Sequence, residues 1–229
     1  METGTFKGYE TSLSNPGILW IRFNRPERKN GMTSVMKREL IETLTQAQMD
    51  DEVRVIVFLG SGGSFCAGDD LKGYTSAMRE NDDGLAPLIP PGHGNAIGTY
   101  AGLRTISQAL NTRVRELDKI TIAAVNGIAI QTGFSLALSC DFRIASEQAS
   151  MGSGTLRFAL LPDEGGHYLL VQHIGLAQTI DFVNQSFRNK ENLLGSAYDA
   201  DSEGIEGKYY VWDYKELKSV LEKDYDLFA

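Results

Sequence analysis

The chain is poor in the residues that build disulfide frameworks and metal centres. Cysteine occurs only twice in 229 residues, as Cys66 and Cys140, in neither a pairing motif nor a metal-ligand spacing. That excludes a disulfide scaffold, and both side chains read as small buried thiols in a reducing compartment. The three histidines, His93, His167 and His173, do not cluster in sequence, so no metal site is expected. No apolar run reaches the ~20 residues that span a bilayer. The opening Met-Glu-Thr-Gly-Thr-Phe is not built like a secretory signal. Positive charge is also short: 22 Lys and Arg stand against 30 Asp and Glu, a net charge of −8. This argues against nucleic-acid and anionic-membrane partners, although a local basic site for an acidic ligand remains open. A cytoplasmic location is the resulting expectation.

What is present is a core. Apolar residues make up 42% of a chain long enough to bury a hydrophobic interior. Ile18-Leu-Trp-Ile-Arg-Phe23 reads as a strand, broken by Asn24-Arg-Pro-Glu-Arg-Lys-Asn-Gly31. Thr33 is placed to cap a helix over 33–50, whose Met36, Leu40, Ile41 and Leu44 recur at helical spacing. Val53-Arg-Val-Ile-Val-Phe-Leu59 is a dense β-branched run, as expected of a buried strand. Strand-then-helix alternation returns at Ile120–Val125 and Gly133–Cys140, and Phe142–Ala145 adds a further strand. This rhythm predicts an α/β fold with mainly parallel pairing. Residues 73–100, with Asn81-Asp-Asp-Gly84 and Ile89-Pro-Pro-Gly92, lack periodicity and read as a long loop.

Three segments carry the functional signal: Gly60-Ser-Gly-Gly-Ser-Phe-Cys-Ala-Gly-Asp-Asp-Leu71, Ile120-Thr-Ile-Ala-Ala-Val-Asn-Gly127 and Gly133-Phe-Ser-Leu-Ala-Leu-Ser-Cys-Asp141. Each belongs to an apolar strand, a small-residue loop and a following helix. Two such loops can aim two backbone N–H groups at one oxyanion. Over roughly residues 15–185 these segments resemble the enoyl-CoA hydratase/isomerase (crotonase) family. The resemblance implies a spiral of ββα turns and acyl-CoA chemistry of fatty acid metabolism, with coenzyme A entering only as part of the substrate. It also implies a homo-trimer or hexamer.

By the same resemblance, the oxyanion donors are the N–H groups of Ala67 and Thr132. A β-branched Thr132 is stiffer than glycine and disfavours positive φ. The helix beginning near Gly133 adds its positive end. The two glutamates of hydratases match Ser135 and Thr155, neither of which can serve as a general base near neutral pH. A single carboxylate, Glu164 in Leu161-Pro-Asp-Glu-Gly-Gly166, matches the acid/base position of family isomerases, with Asp163 beside it as a second candidate or a helix cap. Arg28 and Lys29 match the family's acyl-CoA loop and can meet phosphates. The edge Ala67, Gly68, Asp69, Asp70 and Leu71, with Gly133, matches the segment that grips the adenine and pantetheine arm. The leading expectation is double-bond isomerisation. The alternatives are a weak hydratase-like homologue (a lyase) and a CoA-binding fragment without turnover.

The C-terminal region reads differently. Leu194–Trp212 includes Asp-Ala-Asp-Ser-Glu-Gly-Ile-Glu-Gly-Lys-Tyr-Tyr-Val-Trp, and Tyr214–Lys223 precedes Leu227-Phe228. This stretch resembles the six-hairpin glycosidase-like region of thioredoxin-domain proteins. The expectation is a crotonase-like core over 1–180 and a tail of different origin over 181–229, joined within 175–193. The family's C-terminal helical segment is then truncated or replaced.

Overall fold

The computed structural model describes residues 1–70, 96–155 and 164–187, and beyond them four two-residue strands. Two compact units emerge. One comprises Met1–Ser153 with Asp163–Leu169, the other Gly154–Pro162 with Leu170–Ala229.

The first unit runs β1 (Gly4–Thr5), β2 (Tyr9–Ser14), β3 (Ile18–Phe23), a 3-10 turn at Pro26–Arg28, α1 (Ser34–Met49), β4 (Val55–Gly60) and β5 (Ser64–Cys66). It continues with α2 (Ala96–Gly102), a π-helical stretch (Leu103–Ser107), α3 (Gln108–Arg115), β6 (Ile120–Val125), β7 (Ile128–Ile130), α4 (Thr132–Ser139), β8 (Phe142–Ala145) and β9 (Ser150–Gly152). One sheet has the order β1-β2-β3-β4-β6-β8, and a second has β5-β7-β9. From β3 onward the first sheet is parallel, and the second is parallel throughout. Successive turns of chain, β4–β5, β6–β7 and β8–β9, each add one strand to each sheet. That is the ββα spiral the sequence led us to expect.

The spiral follows from the apolar patterning. Ile56, Val57 and Phe58 are buried because β4 lies inside the sheet, so it reads as a continuous run rather than an alternation. Helix α1 starts where Thr33 Oγ1 accepts the Met36 N–H at 3.2 Å. It buries Met36, Leu40, Leu44 and Ala47 completely. Each such leucine contributes about 1.5–3 kcal/mol of burial. Cys66 and Cys140 are free and buried, and burial pushes both thiols up to about 12, so neither is a thiolate nucleophile.

The expected long loop over 73–100 needs one correction: its last residues are helical, since α2 begins at Ala96. The rest of that loop lies outside the described residues. Helix α5 (Gly166–Ile174) begins in the first unit. The second unit continues with α6 (Leu176–Phe187), and its four short strands are β10 (Leu194–Gly195), β11 (Asp201–Ser202), β12 (Ile205–Glu206) and β13 (Val211–Trp212). They form two antiparallel pairs, β10 with β13 and β11 with β12. The expected helix at Tyr214–Lys223 and most of the tail motif lie outside the described residues. Among the described residues no helix is long and apolar enough to cross a membrane, and no group of His, Cys, Asp and Glu is arranged to hold a metal ion.

Candidate active site

Two loops of the spiral meet at the start of α4. The loop after β5 carries Ala67, Gly68, Asp69 and Asp70. The turn after β7 carries Gln131, Thr132 and Gly133. Their approach is close: a Cβ on Gly133 would lie 2.2 Å from the Cys66 carbonyl oxygen, so only glycine fits there. Thr132 Oγ1 bridges the loops by donating to Asp69 Oδ1 at 2.6 Å.

The first expected oxyanion donor has a backbone partner of its own. The Ala67 N–H is already engaged, donating to the Lys29 carbonyl at 3.0 Å. The chain then forms a parallel bridge between Met32 and Asp69, in which Met32 N–H donates to Gly68 O at 2.9 Å and Asp70 N–H to Met32 O at 2.8 Å. That bridge uses the carbonyl before Asp69 and the N–H after it. The Asp69 N–H therefore has no acceptor among the described residues. Thr132 is the first residue of α4, so its N–H also lacks an intrahelical acceptor. Asp69 and Thr132 thus present two backbone N–H groups without an acceptor among the described residues.

Thr132 does not carry the backbone strain that its β-branch suggested. The positive φ falls one residue earlier, at Gln131, with φ +55° and ψ −113°. That region suits glycine and costs other residues about 1–3 kcal/mol. Gln131 Oε1 is also buried, without a hydrogen-bond partner among the described residues. Gln131→Gly removes both penalties and adds only about 0.5–1 kcal/mol of glycine entropy. It is expected to raise the urea unfolding midpoint, by about 1–2 kcal/mol in stability. A lowered midpoint would contradict the assignment of strain to this residue.

Next to the two donors lies a buried acid/base cluster. Glu164 is 6% exposed, and Lys37, on the core face of α1, is 2% exposed. Lys37 Nζ donates to Glu164 Oε1 at 2.9 Å and to Ser107 Oγ at 2.9 Å, and it lies 2.7 Å from Asp69 Oδ1. Thr132 Oγ1 is 3.0 Å from Glu164 Oε1. The hydroxyl carries one proton, so it serves one of its two carboxylates at a time. Asn111 Nδ2, from α3, donates to the Glu164 carbonyl at 3.0 Å and fixes the backbone there. Among the described residues Glu164 Oε2 has no hydrogen-bond partner.

Burial holds the Glu164 carboxyl above its ordinary range; the Lys37 ammonium opposes this and Asp69 adds to it. For Lys37, burial alone would lower the pKa, but Glu164 and Asp69 outweigh it and keep the ammonium charged. The cluster thus has one fixed cation and two carboxylates, and among the described residues the buried Glu164 Oε2 is left bare. A base needs such an oxygen, at a pKa closer to neutrality than a solvated glutamate has.

The remaining expected residues are placed as follows. Asp163 and Leu71 lie outside the described residues. Ser135 is buried on α4, with its Oγ 2.7 Å from where a Cβ on Gly166 would lie. Thr155 is buried and belongs to the second unit. Arg28 and Lys29 are exposed, and their loop is tied to the 67–70 loop by the Lys29 carbonyl and by Arg28 Nε, 4.0 Å from Asp70 Oδ2. Gly68, at φ +107°, makes the turn between them possible.

Three contributors escaped the sequence reading. Arg25 bonds Asp70 Oδ2 at 2.6 Å and also donates to the Gly31 carbonyl. Asn30 is fully buried and donates to the carbonyls of Ser61 at 2.9 Å and Ser64 at 2.7 Å, holding the basic loop against the chain around β5. Lys37 is the third. The signal for it was present: Lys37, Leu40, Ile41 and Leu44 share helical spacing, which puts a lysine on an apolar face.

Comparison with known proteins agrees with this architecture. The sequence profile of the enoyl-CoA hydratase/isomerase family matches residues 18–178. The chain is 34% identical over 165 residues to 1,2-epoxyphenylacetyl-CoA isomerase of Escherichia coli, covering 72% of this chain and 57% of that protein. It is 34% identical over 202 residues to the human mitochondrial enoyl-CoA hydratase domain-containing protein 2, covering 86% of this chain and 63% of that one. The enoyl-CoA hydratase of Bacillus anthracis superposes with a TM-score of 0.64 at 30% identity, over 76% of this chain and 61% of that structure. The chain therefore spans about three fifths of the length of these relatives. With a matching profile over most of its length and the ββα spiral in place, the chain belongs to the enoyl-CoA hydratase/isomerase family.

Proposed function

We propose that the protein binds an acyl-CoA thioester and moves its carbon–carbon double bond between the 3- and 2-positions. The observation that carries this reading is Glu164: a buried carboxyl, one oxygen anchored and the other bare among the described residues, beside two backbone N–H groups that have no acceptor among them. The thioester oxygen accepts from the Asp69 and Thr132 N–H groups. Glu164 Oε2 takes a proton from C2, and the electron pair left behind delocalises into the thioester as an enolate. The same proton returns to C4 as the double bond shifts. Atoms and charge balance without a redox change, so coenzyme A enters only as part of the substrate. Hydration instead calls for carboxylates that position water and supply the proton, and the positions that the family resemblance matches to them carry Ser135 and Thr155. Arg28 and Lys29 offer exposed cations to the phosphates of the CoA arm.

The test supplies 3-enoyl-CoA and crotonyl-CoA separately and follows the absorbance of the conjugated thioester, with calorimetric binding of both measured alongside. The expected result is a rise with 3-enoyl-CoA and no change with crotonyl-CoA. Loss of crotonyl-CoA absorbance would establish hydration instead. Binding without either change would establish a non-catalytic thioester-binding protein.

A further inference from the structure

We infer that Lys37 is a positioning residue for the proposed base: its ammonium pins Glu164 Oε1 and Asp69 Oδ1 together and leaves Glu164 Oε2 free to take a proton. The inference rests on the isomerase reading of Glu164 for its catalytic consequence, but its geometry stands independently.

An ammonium has three protons, and here they face three acceptors: Ser107 Oγ at 2.9 Å, Asp69 Oδ1 at 2.7 Å and Glu164 Oε1 at 2.9 Å. At 2% exposure Lys37 has little room for a water in place of any of them. All four residues belong to one compact unit. Asp69 supplies both the second carboxylate to this cation and the unengaged N–H of the oxyanion loop. Lys37 therefore sets the base and that loop relative to each other. The groups facing Glu164 from the elements around it are, among the described residues, Lys37 on α1, Cys66 on β5, Asp69 after β5, Asn111 on α3 and Thr132 on α4. Lys37 is the single cation among them.

The test compares Lys37→Met and Lys37→Arg with the unchanged protein. The Glu164 side-chain carboxyl is titrated by carbon-13 NMR without ligand, and the isomerisation rate is measured against pH. In Lys37→Met the Glu164 titration and the acidic limb of the rate profile are expected to move up by about 1–3 pH units, the range typical of losing an adjacent opposite charge. The maximal rate falls, while KM stays within about threefold, because Lys37 touches no substrate. Lys37→Arg keeps the charge and is expected to titrate close to the unchanged protein, with a reduced maximal rate because the guanidinium fork cannot reproduce the three-way contact. If Lys37→Met does not fold, the Arg variant carries the decision: a normal rate with unmoved titration overturns the positioning role. A folded Lys37→Met with an unmoved Glu164 titration overturns it as well. If neither the unchanged protein nor any variant isomerises but the NMR titration moves as described, Lys37 keeps its place and the isomerase reading falls.

Discussion

Glu164→Gln is expected to lower 3-enoyl to 2-enoyl isomerisation by about 10²–10⁴, the usual worth of a positioned general base. The amide has nearly the same shape and keeps an oxygen for Lys37 Nζ to bond, so the fold and the affinity for the CoA thioester should change little. Steady-state rates and calorimetric binding on the same preparation separate the two effects. An unchanged rate removes Glu164 from the mechanism, and equal losses in rate and binding make it a structural carboxyl. The pH dependence follows from the raised pKa. Activity needs the ionised carboxylate, so it falls as pH drops through a value above the ordinary glutamate range. Stability runs the other way. The folded protein holds this proton more tightly than the unfolded chain does. Its contribution is therefore full below the ordinary range and is lost as pH rises through the folded value.

The second large effect is expected at Asp69. Asp69→Pro deletes the N–H that the bridge to Met32 leaves unused, and it keeps both bridge bonds, Met32 N–H to Gly68 O and Asp70 N–H to Met32 O. Asp69 does not have a positive φ, so the proline ring is not excluded on that ground. Asp69→Ala is the control, because it removes the carboxylate from Lys37 but retains the N–H. The proline variant is expected to be slower than the alanine variant by about 10²–10³, the cost of one oxyanion donor. Circular dichroism verifies that both are folded. Equal rates for the two would mean that the Asp69 N–H does not hold the developing oxyanion.

Ala67 shows where sequence reasoning stopped. The segment Phe65–Leu71 announces a small-residue loop after a strand, and that much was legible. Which of its N–H groups remains free depends on what the rest of the chain does with the others. The Lys29 carbonyl takes the Ala67 N–H, and Gly68 at φ +107° turns the chain so that Asp69 is left over. Lys29 and Met32, which take up the neighbouring backbone groups, belong to a much earlier part of the chain, and no local pattern reports them. The strands at Ile18–Phe23 and Ile120–Val125 and the helix capped by Thr33 were legible because each rests on periodicity and a local cap. Glu164 was legible as a candidate through its place in the sequence Pro162-Asp-Glu-Gly165. Its counter-ion was not, because Lys37 lies 127 residues away on another element. Thr132 was expected to bear the strain of a tight loop. The structure moves that strain to Gln131 and leaves a β-branched residue in ordinary helical geometry. What places each side chain at the site is long-range packing between turns of the spiral, which only the folded chain displays.

The most direct test of the central claim is a crystal structure of this protein with a non-reacting 3-enoyl-CoA analogue. The thioester oxygen is expected within hydrogen-bond distance, about 3 Å, of both the Asp69 and Thr132 nitrogens, with Glu164 Oε2 over the C2–C4 segment. A thioester bound away from those two nitrogens, or a Glu164 carboxylate that does not reach C2 and C4, would contradict it.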